Sequence, residues 1–109
     1  MESVNKVILK GSISGLRKIG VEGYQAARFV LMTRYCIEGW NGRQLVETEL
    51  HNVVVWNSCG AELFDKLNDG KIVEVEGRLR NIKYISEEGV EKTLTEVVGM
   101  KLVSVENQE

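Results

Sequence analysis

The chain has 109 residues, 43% of them apolar, with 14 Lys plus Arg against 16 Asp plus Glu. That profile fits one soluble globular domain, and with only Cys36 and Cys59 present it excludes a disulfide framework or a four-thiolate zinc site. Residues 1–45 carry seven basic and three acidic side chains (+4) while residues 46–109 carry seven and thirteen (−6), so any nucleic-acid site must be a local patch.

Residues 4–13 alternate Lys6, Ile8 and Lys10 with Val7, Leu9, Gly11 and Ile13, which predicts a strand whose odd positions face a core. The glycine-punctuated residues 15–23, carrying Arg17 and Lys18, read as a loop. A second strand is expected over residues 27–37, with Phe29 and Leu31 on one side and Arg28 and Arg34 on the other. Gly39-Trp40-Asn41-Gly42 follows, where Asn-Gly predicts a type I′ hairpin turn.

The return strand, residues 45–56, contains Val53, Val54 and Val55, too many consecutive apolar residues for one solvated face. Ser58 as an N-cap, Ala61, Phe64 and Leu67 at every third position, and Asn68-Asp69-Gly70 as a stop predict one short helix. Period two resumes at Ile72, with Val73, Val75, Gly77 and Leu79 on one face and Glu74, Glu76, Arg78 and Arg80 on the other. Residues 86–89 make a turn and a fifth strand is expected over residues 93–105.

Three strands, a short helix and two strands is the order of an all-β, five-stranded OB-fold Greek-key barrel, although order alone leaves the pairing, and with it another small β-barrel, open. Residues 1–10 offer no apolar stretch of signal-peptide length, no segment reads as long and apolar enough to span a bilayer, and two cysteines fit an expected reduced, intracellular setting.

Several segments resemble the bacterial single-stranded DNA-binding protein family: Val4-Asn5-Lys6-Val7-Ile8-Leu9-Lys10-Gly11, Thr48-Glu49-Leu50-His51-Asn52-Val53-Val54-Val55-Trp56, Val75-Glu76-Gly77-Arg78-Leu79-Arg80 and Thr95-Glu96-Val97-Val98. The resemblance implies an OB-fold domain over residues 1–105 that wraps single-stranded DNA, aromatic side chains stacking on bases and basic ones holding phosphates. The family is usually homotetrameric, and its members commonly add an acidic-tipped tail that recruits replication proteins. Here a short polar stretch, residues 106–109, ends the sequence, so tail-mediated recruitment is not expected from it.

By the same resemblance, Trp56 and Tyr84 fall at stacking positions, with Arg80 and Lys83 at basic positions beside Tyr84. Leu50 and Cys36 stand where the family has further aromatics, for the second of which Trp40 or Tyr35 is a substitute. Asn52, Ser58 and Asp69 replace basic residues, which predicts weaker binding. His51 falls at a position similar to one at the subunit interface, so a homo-oligomer, a tetramer or else a dimer, is expected to use it.

The residues themselves support part of this. Leu50, Asn52, Val54 and Trp56 share one strand face by parity, as do Arg78, Arg80, Ile82 and Tyr84, so both aromatics can present a ring on one side of a sheet. Core or interface packing is the competing role for each. Trp40, beside a hairpin turn, is equally a contact residue or a packing residue. Lys6, Lys10, Arg17, Lys18, Arg28, Arg34, Arg78, Arg80 and Lys83 are candidates for a phosphate track, competing with a plain solvated face on which Glu74 and Glu76 pair with Arg78. Arg80 with Lys83 stands out because no acidic residue interrupts residues 78–84.

His51 has no catalytic partner nearby in sequence, Cys36 and Cys59 match no redox or zinc spacing and are expected to pack as small apolar groups, and residues 11–15 lack the ending of a phosphate loop. No enzyme, metal or cofactor is therefore expected. The sequence reads as a sequence-independent single-stranded DNA-binding protein for DNA replication, recombination or repair, cytoplasmic and nucleoid-associated. The alternatives are a primosome-type OB-fold protein-interaction module with secondary DNA binding and a purely structural OB-domain oligomer.

Overall fold

The computed structural model describes residues 2–21, 23–59 and 61–105; the side chains of Val21, Cys59, Ala61 and Glu62, and the terminal residues 106–109, lie outside the described residues. Strands β1 (Val7–Val21), β2 (Tyr24–Glu38), β3 (Gln44–Trp56), β4 (Ile72–Ile85) and β5 (Glu91–Ser104) form a closed barrel in the order β1-β2-β3-β5-β4. β1 pairs antiparallel with both β2 and β4, and β3 meets β5 in parallel where residues 52–55 face residues 96–99. This pairing, with helix α1 (Ala61–Asp65) between β3 and β4, is the OB-fold connection and closes the question that element order leaves open.

Inside the barrel, Ile13, Ala27, Phe29, Leu31, Val53, Val55, Val73, Val75, Val97 and Leu102 interdigitate, and Phe64 and Leu67 plug one end. Val7 and Leu9 pack against this core, as period two predicts. Val54 points the other way yet is equally buried, because it joins Ala26 and Val98 in a second apolar cluster on the outer face. Both faces of residues 53–55 are thus covered, as expected from their unbroken apolar run.

Several sequence expectations are corrected. Residues 15–21 belong to β1, not to a loop: Gly15 adopts φ 62° at a bulge between Ser14 and Arg17, so the glycine bends the strand around the barrel without ending it. The side chain of Asp69 holds this bend by accepting the Leu16 N–H at 2.9 Å.

The β2–β3 turn is a three-residue loop. Gly42 N–H donates to Gly39 C=O at 3.0 Å, Gly39 N–H donates to Arg43 C=O, and Gly42 alone supplies the left-handed conformation at φ 77°. Asn41-Gly42 therefore sits one position later than a type I′ turn requires. Ser86, Gly89 and Val90 repeat the same hydrogen-bond pattern between β4 and β5.

Ser58, expected at the start of the helix, lies inside a 3-10 turn, Asn57–Cys59, that precedes α1. Leu79 is half-exposed, because the bulge between Glu76 and Gly77 turns the strand out of the barrel. Its backbone is instead gripped by the side chain of Asn5, which donates to Leu79 C=O at 2.8 Å and accepts from Leu79 N–H at 2.9 Å. Cys36 is exposed, since β2 has by then left the core.

The β2–β3 and β4–β5 hairpins run past the barrel as two arms. They raise the radius of gyration to 16.2 Å, where a compact chain of this length would have about 13 Å.

Candidate nucleic-acid interface

The outer face of β2, β3, β5 and β4 is assembled in rows by the strand register. Ala26 lies beside Trp56, and Arg28 beside Val54, Val98 and Arg78. The next row is Val30, Asn52, Glu96 and Arg80. This is the side of an OB barrel bounded by the β1–β2 and β4–β5 loops, where such folds take oligonucleotides. Trp56 stands at one end of it, 47% exposed, and Tyr84 at the other, on the β4–β5 arm beside Lys92 and 46% exposed. Each aromatic therefore keeps about half of its surface open to solvent while the rest is packed.

Beside Trp56, an apolar trough of about 680 Å³ is lined by Ile19, Tyr24, Ala26, Arg28, Val54, Trp56 and Ser58. Arg28 also borders a smaller hollow of about 160 Å³ that includes Arg17, Val30, Asn52 and Leu94. Arg17 and Arg28 are direct neighbours in the β1–β2 ladder, a like-charge pair that is unfavourable unless compensated.

The compensation comes from Glu96. Its side chain has no exposed surface, and it is the one buried charged residue among those described. Arg28 Nη1 donates to one carboxylate oxygen at 2.9 Å. Arg80 donates to the other through Nε, at 3.0 Å, and Nη2. Burial by itself would raise the Glu96 pKa; the hydrogen bonds and charges of Arg80 and Arg28 overcome it and hold the carboxyl below its usual range.

The sequence-predicted basic residues thus divide. Arg28 and Arg80 share the outer face but are bridged by one carboxylate, so three charged groups present a net +1. No acidic residue interrupts residues 78–84 in sequence, yet one from the neighbouring strand reaches Arg80. Lys83 points to the opposite face, with its Nζ 4.0 Å from Glu91. Arg78 is exposed beside Val98 and makes no ion pair among the described residues.

Glu76, expected to pair with Arg78, instead binds Lys6 at 2.9 Å, because β1 lies on that edge of β4. The Lys6 hydrogen bond and charge hold Glu76 below the ordinary carboxylate range. Lys10 lies opposite Glu74 and shares a shallow recess with Arg34, away from the trough. Lys18 is directed to the other side of β1, its Nζ 5.2 Å from the centre of the Phe64 ring. Trp40 is 98% exposed at the tip of the β2–β3 arm and packs on nothing among the described residues.

His51 shares the inner parity of Val53 and Val55, so it is not on the Trp56 face. Its Nε2 is 2.9 Å from the Thr33 hydroxyl. Leu50 faces the same way as Trp56 and is exposed. Ile19, Tyr24 and Glu96 were not recognised as site residues from sequence. Tyr24 lies outside the expected second strand, residues 27–37, whereas β2 begins at Tyr24 and its parity with Ala26 and Arg28 puts it on this face. Glu96 had no sequence signal, since its partners are 16 and 68 residues away.

Among the described residues, no group of three or more His, Cys, Asp and Glu side chains is arranged to hold a metal ion, and no helix is long and apolar enough to cross a membrane.

A closed five-stranded barrel with an aromatic and basic outer face defines an OB-fold binding domain. Residues 4–105 match the model of the single-strand binding protein family, and the chain belongs to that family. It is 28% identical over 110 residues to the single-stranded DNA-binding protein of Neisseria meningitidis serogroup B, covering 97% of this chain and 63% of that protein. To the single-stranded DNA-binding protein of Xanthomonas axonopodis pv. citri it is 34% identical over 101 residues, covering 91% and 56%.

The chain therefore spans less than two thirds of the length of these curated relatives. Among solved structures, the Plasmodium falciparum SSB in its complex with ssDNA superposes with a TM-score of 0.84 at 25% identity, covering 97% of this chain and 98% of that one. The single-stranded DNA binding protein of Thermus aquaticus, as a deletion mutant, shares the fold with a TM-score of 0.80 at 21% identity, over 96% of this chain and 52% of that one.

Proposed function

We propose that this chain binds single-stranded DNA with little sequence preference, as a non-enzymatic component of DNA replication, recombination or repair. The observation that carries the reading is the pair of half-exposed aromatics, Trp56 and Tyr84, at opposite ends of one sheet face with Arg28, Arg78 and Arg80 between them. Stacking is sequence-tolerant because every base has a π-face, and arginines between the rings meet the phosphates of the intervening nucleotides. Arg78 is the principal phosphate contact, with Arg28, Arg80 and Arg17 contributing through a partly neutralised cluster. Lys6, Lys10, Lys18, Arg34 and Lys83 are peripheral, being paired, turned away or distant from this face. Membership of the family and the likeness to an SSB complex with ssDNA support the same reading.

The domain is further proposed to act as a homo-oligomer, a tetramer in preference to a dimer, in the cytoplasm and in association with the nucleoid. Supporting this, Tyr35, Leu45, Val46 and Leu50 on the β2–β3 arm and Ile8 on β1 are exposed apolar side chains that a second copy would cover. His51, hydrogen-bonded to Thr33 at the root of that arm, is proposed to support the assembly. A His51→Tyr variant with unchanged mass in solution would count against its role.

The test is titration of Trp40 and Trp56 fluorescence with oligothymidine at low and moderate salt, with duplex DNA as control. Quenching by the single strand alone, weakened by salt, is expected. Absence of both quenching and binding would overturn the reading and leave the protein-interaction module, whose candidate surface is the same apolar arm.

A further inference from the structure

We propose that the trough between Tyr24 and Trp56 is a nucleobase slot, with Tyr24 supplying a second stacking face and Arg28 meeting the phosphate at its mouth; this rests on the single-strand reading above. The trough owes its depth to Ala26. In the strand register Ala26 lies between Ile19 on β1 and Trp56 on β3, so a methyl group separates two large side chains and leaves a depression over Val54.

Its volume, about 680 Å³, lies within the range of clefts that enclose small planar ligands, roughly 300–1,000 Å³. The floor is dry: Ala26 and Val54 are buried in the outer apolar cluster. Tyr24 opens the rim at the start of β2 and is 71% exposed, and with the half-exposed Ile19 and Trp56 it makes a contiguous apolar patch of the kind that marks a ligand surface.

The chemistry of the walls selects the occupant. Two aromatic rings and an aliphatic floor suit a flat, apolar face, whereas the Arg28 guanidinium and the Ser58 hydroxyl at the edge suit an anionic or hydrogen-bonding rim. A nucleotide has both, a π-face and a phosphate joined by a short link. Bases in duplex DNA are already stacked and paired, so only an unpaired strand can offer one. Arg28 is also fixed in place: Glu96 holds its guanidinium at 2.9 Å, which keeps the cation at the mouth of the trough.

The experiment uses the full chain with Trp40→Phe as background, so that Trp56 is the single tryptophan reporter. Tyr24→Ala is expected to weaken oligothymidine binding about 5- to 150-fold, the loss of one base stack, while Tyr24→Phe stays near the parent. Ala26→Leu, which fills the trough, is expected to reduce both affinity and Trp56 quenching. An abasic oligonucleotide is expected to bind parent and Tyr24→Ala alike.

Parental affinity and quenching in Tyr24→Ala would overturn the slot while leaving the single-strand reading intact. A changed assembly mass in Tyr24→Ala would also overturn it, by making the trough a subunit contact. If the unsubstituted chain binds no single strand, the reading above fails and the slot with it. Tyr24 is exposed at a strand start, so its variants are expected to fold even where Ala26→Leu does not.

Discussion

The two halves of β3 carry similar side chains and meet different fates. Leu45, Val46 and Leu50 in the first half are exposed, whereas Val53, Val54 and Val55 in the second are buried on both faces of the sheet. The difference lies in the neighbours. The first half pairs with β2 alone, while residues 52–55 also pair with β5, and the closed barrel supplies a core inside and the Ala26–Val54–Val98 cluster outside. Along β3, apolar residues report core where both edges of the strand are occupied; on the arm they are surface available to another molecule.

The strongest way to break this comparison is to truncate a side chain in each region. Phe64→Ala, at the plug of the barrel, is expected to cost about 3–5 kcal/mol in urea unfolding, whereas Leu45→Ala on the arm should stay within about 0.5 kcal/mol. Equal costs would mean that the arm is part of the folded core.

Glu96→Gln comes next, with an expected loss of about 1–3 kcal/mol, since it removes two charge-assisted contacts while the half-exposed arginines rehydrate. The same group makes stability pH-dependent. Its folded pKa is depressed, so its contribution is complete above the unfolded value of about 4.3 and is lost as pH falls through the lower folded value. The acid limb of a stability–pH curve should therefore flatten in Glu96→Gln.

On the binding face, Trp56→Ala and Tyr84→Ala should each weaken single-strand affinity about 5- to 150-fold, measured by titration. Arg78→Ala should mainly lower the salt slope, by roughly 0.7 in log affinity against log salt. Arg80→Ala should lower it less, because Glu96 already offsets that charge. The smallest effect is expected for Val46→Ser, which should leave unfolding of the chain within about 0.5 kcal/mol yet shift its mass in solution if the arm is a subunit contact.

Much of the barrel was legible because period two is imposed by the pleat itself. Val73 and Val75 are inside, as their alternation requires, and Phe64 faces the core from α1, whereas Leu67 reaches it from beyond the helix, which ends at Asp65. Glycine was the main source of error. At Gly15 it marks a bend and at Gly42 the last residue of a longer turn, because a left-handed residue serves bulges, turns and strand ends alike. That ambiguity makes residues 15–21 read as a loop, and it delays the expected start of the second strand past Tyr24.

Of the candidate site, parity alone put Trp56 on one face with Val54, and Tyr84 on one face with Arg78 and Arg80. It could not say that these faces adjoin, which the β3–β5 and β4–β5 pairings decide. Element order, strand faces and family membership were thus within reach of the amino-acid sequence, since each depends on local periodicity or on short contiguous segments. The pairing of Glu96 with Arg28 and Arg80, the diversion of Lys6 to Glu76 and the trough above Ala26 were decided only by tertiary structure. Charges and cavities depend on what lies across a strand, and residues across a strand can be any distance apart along the chain.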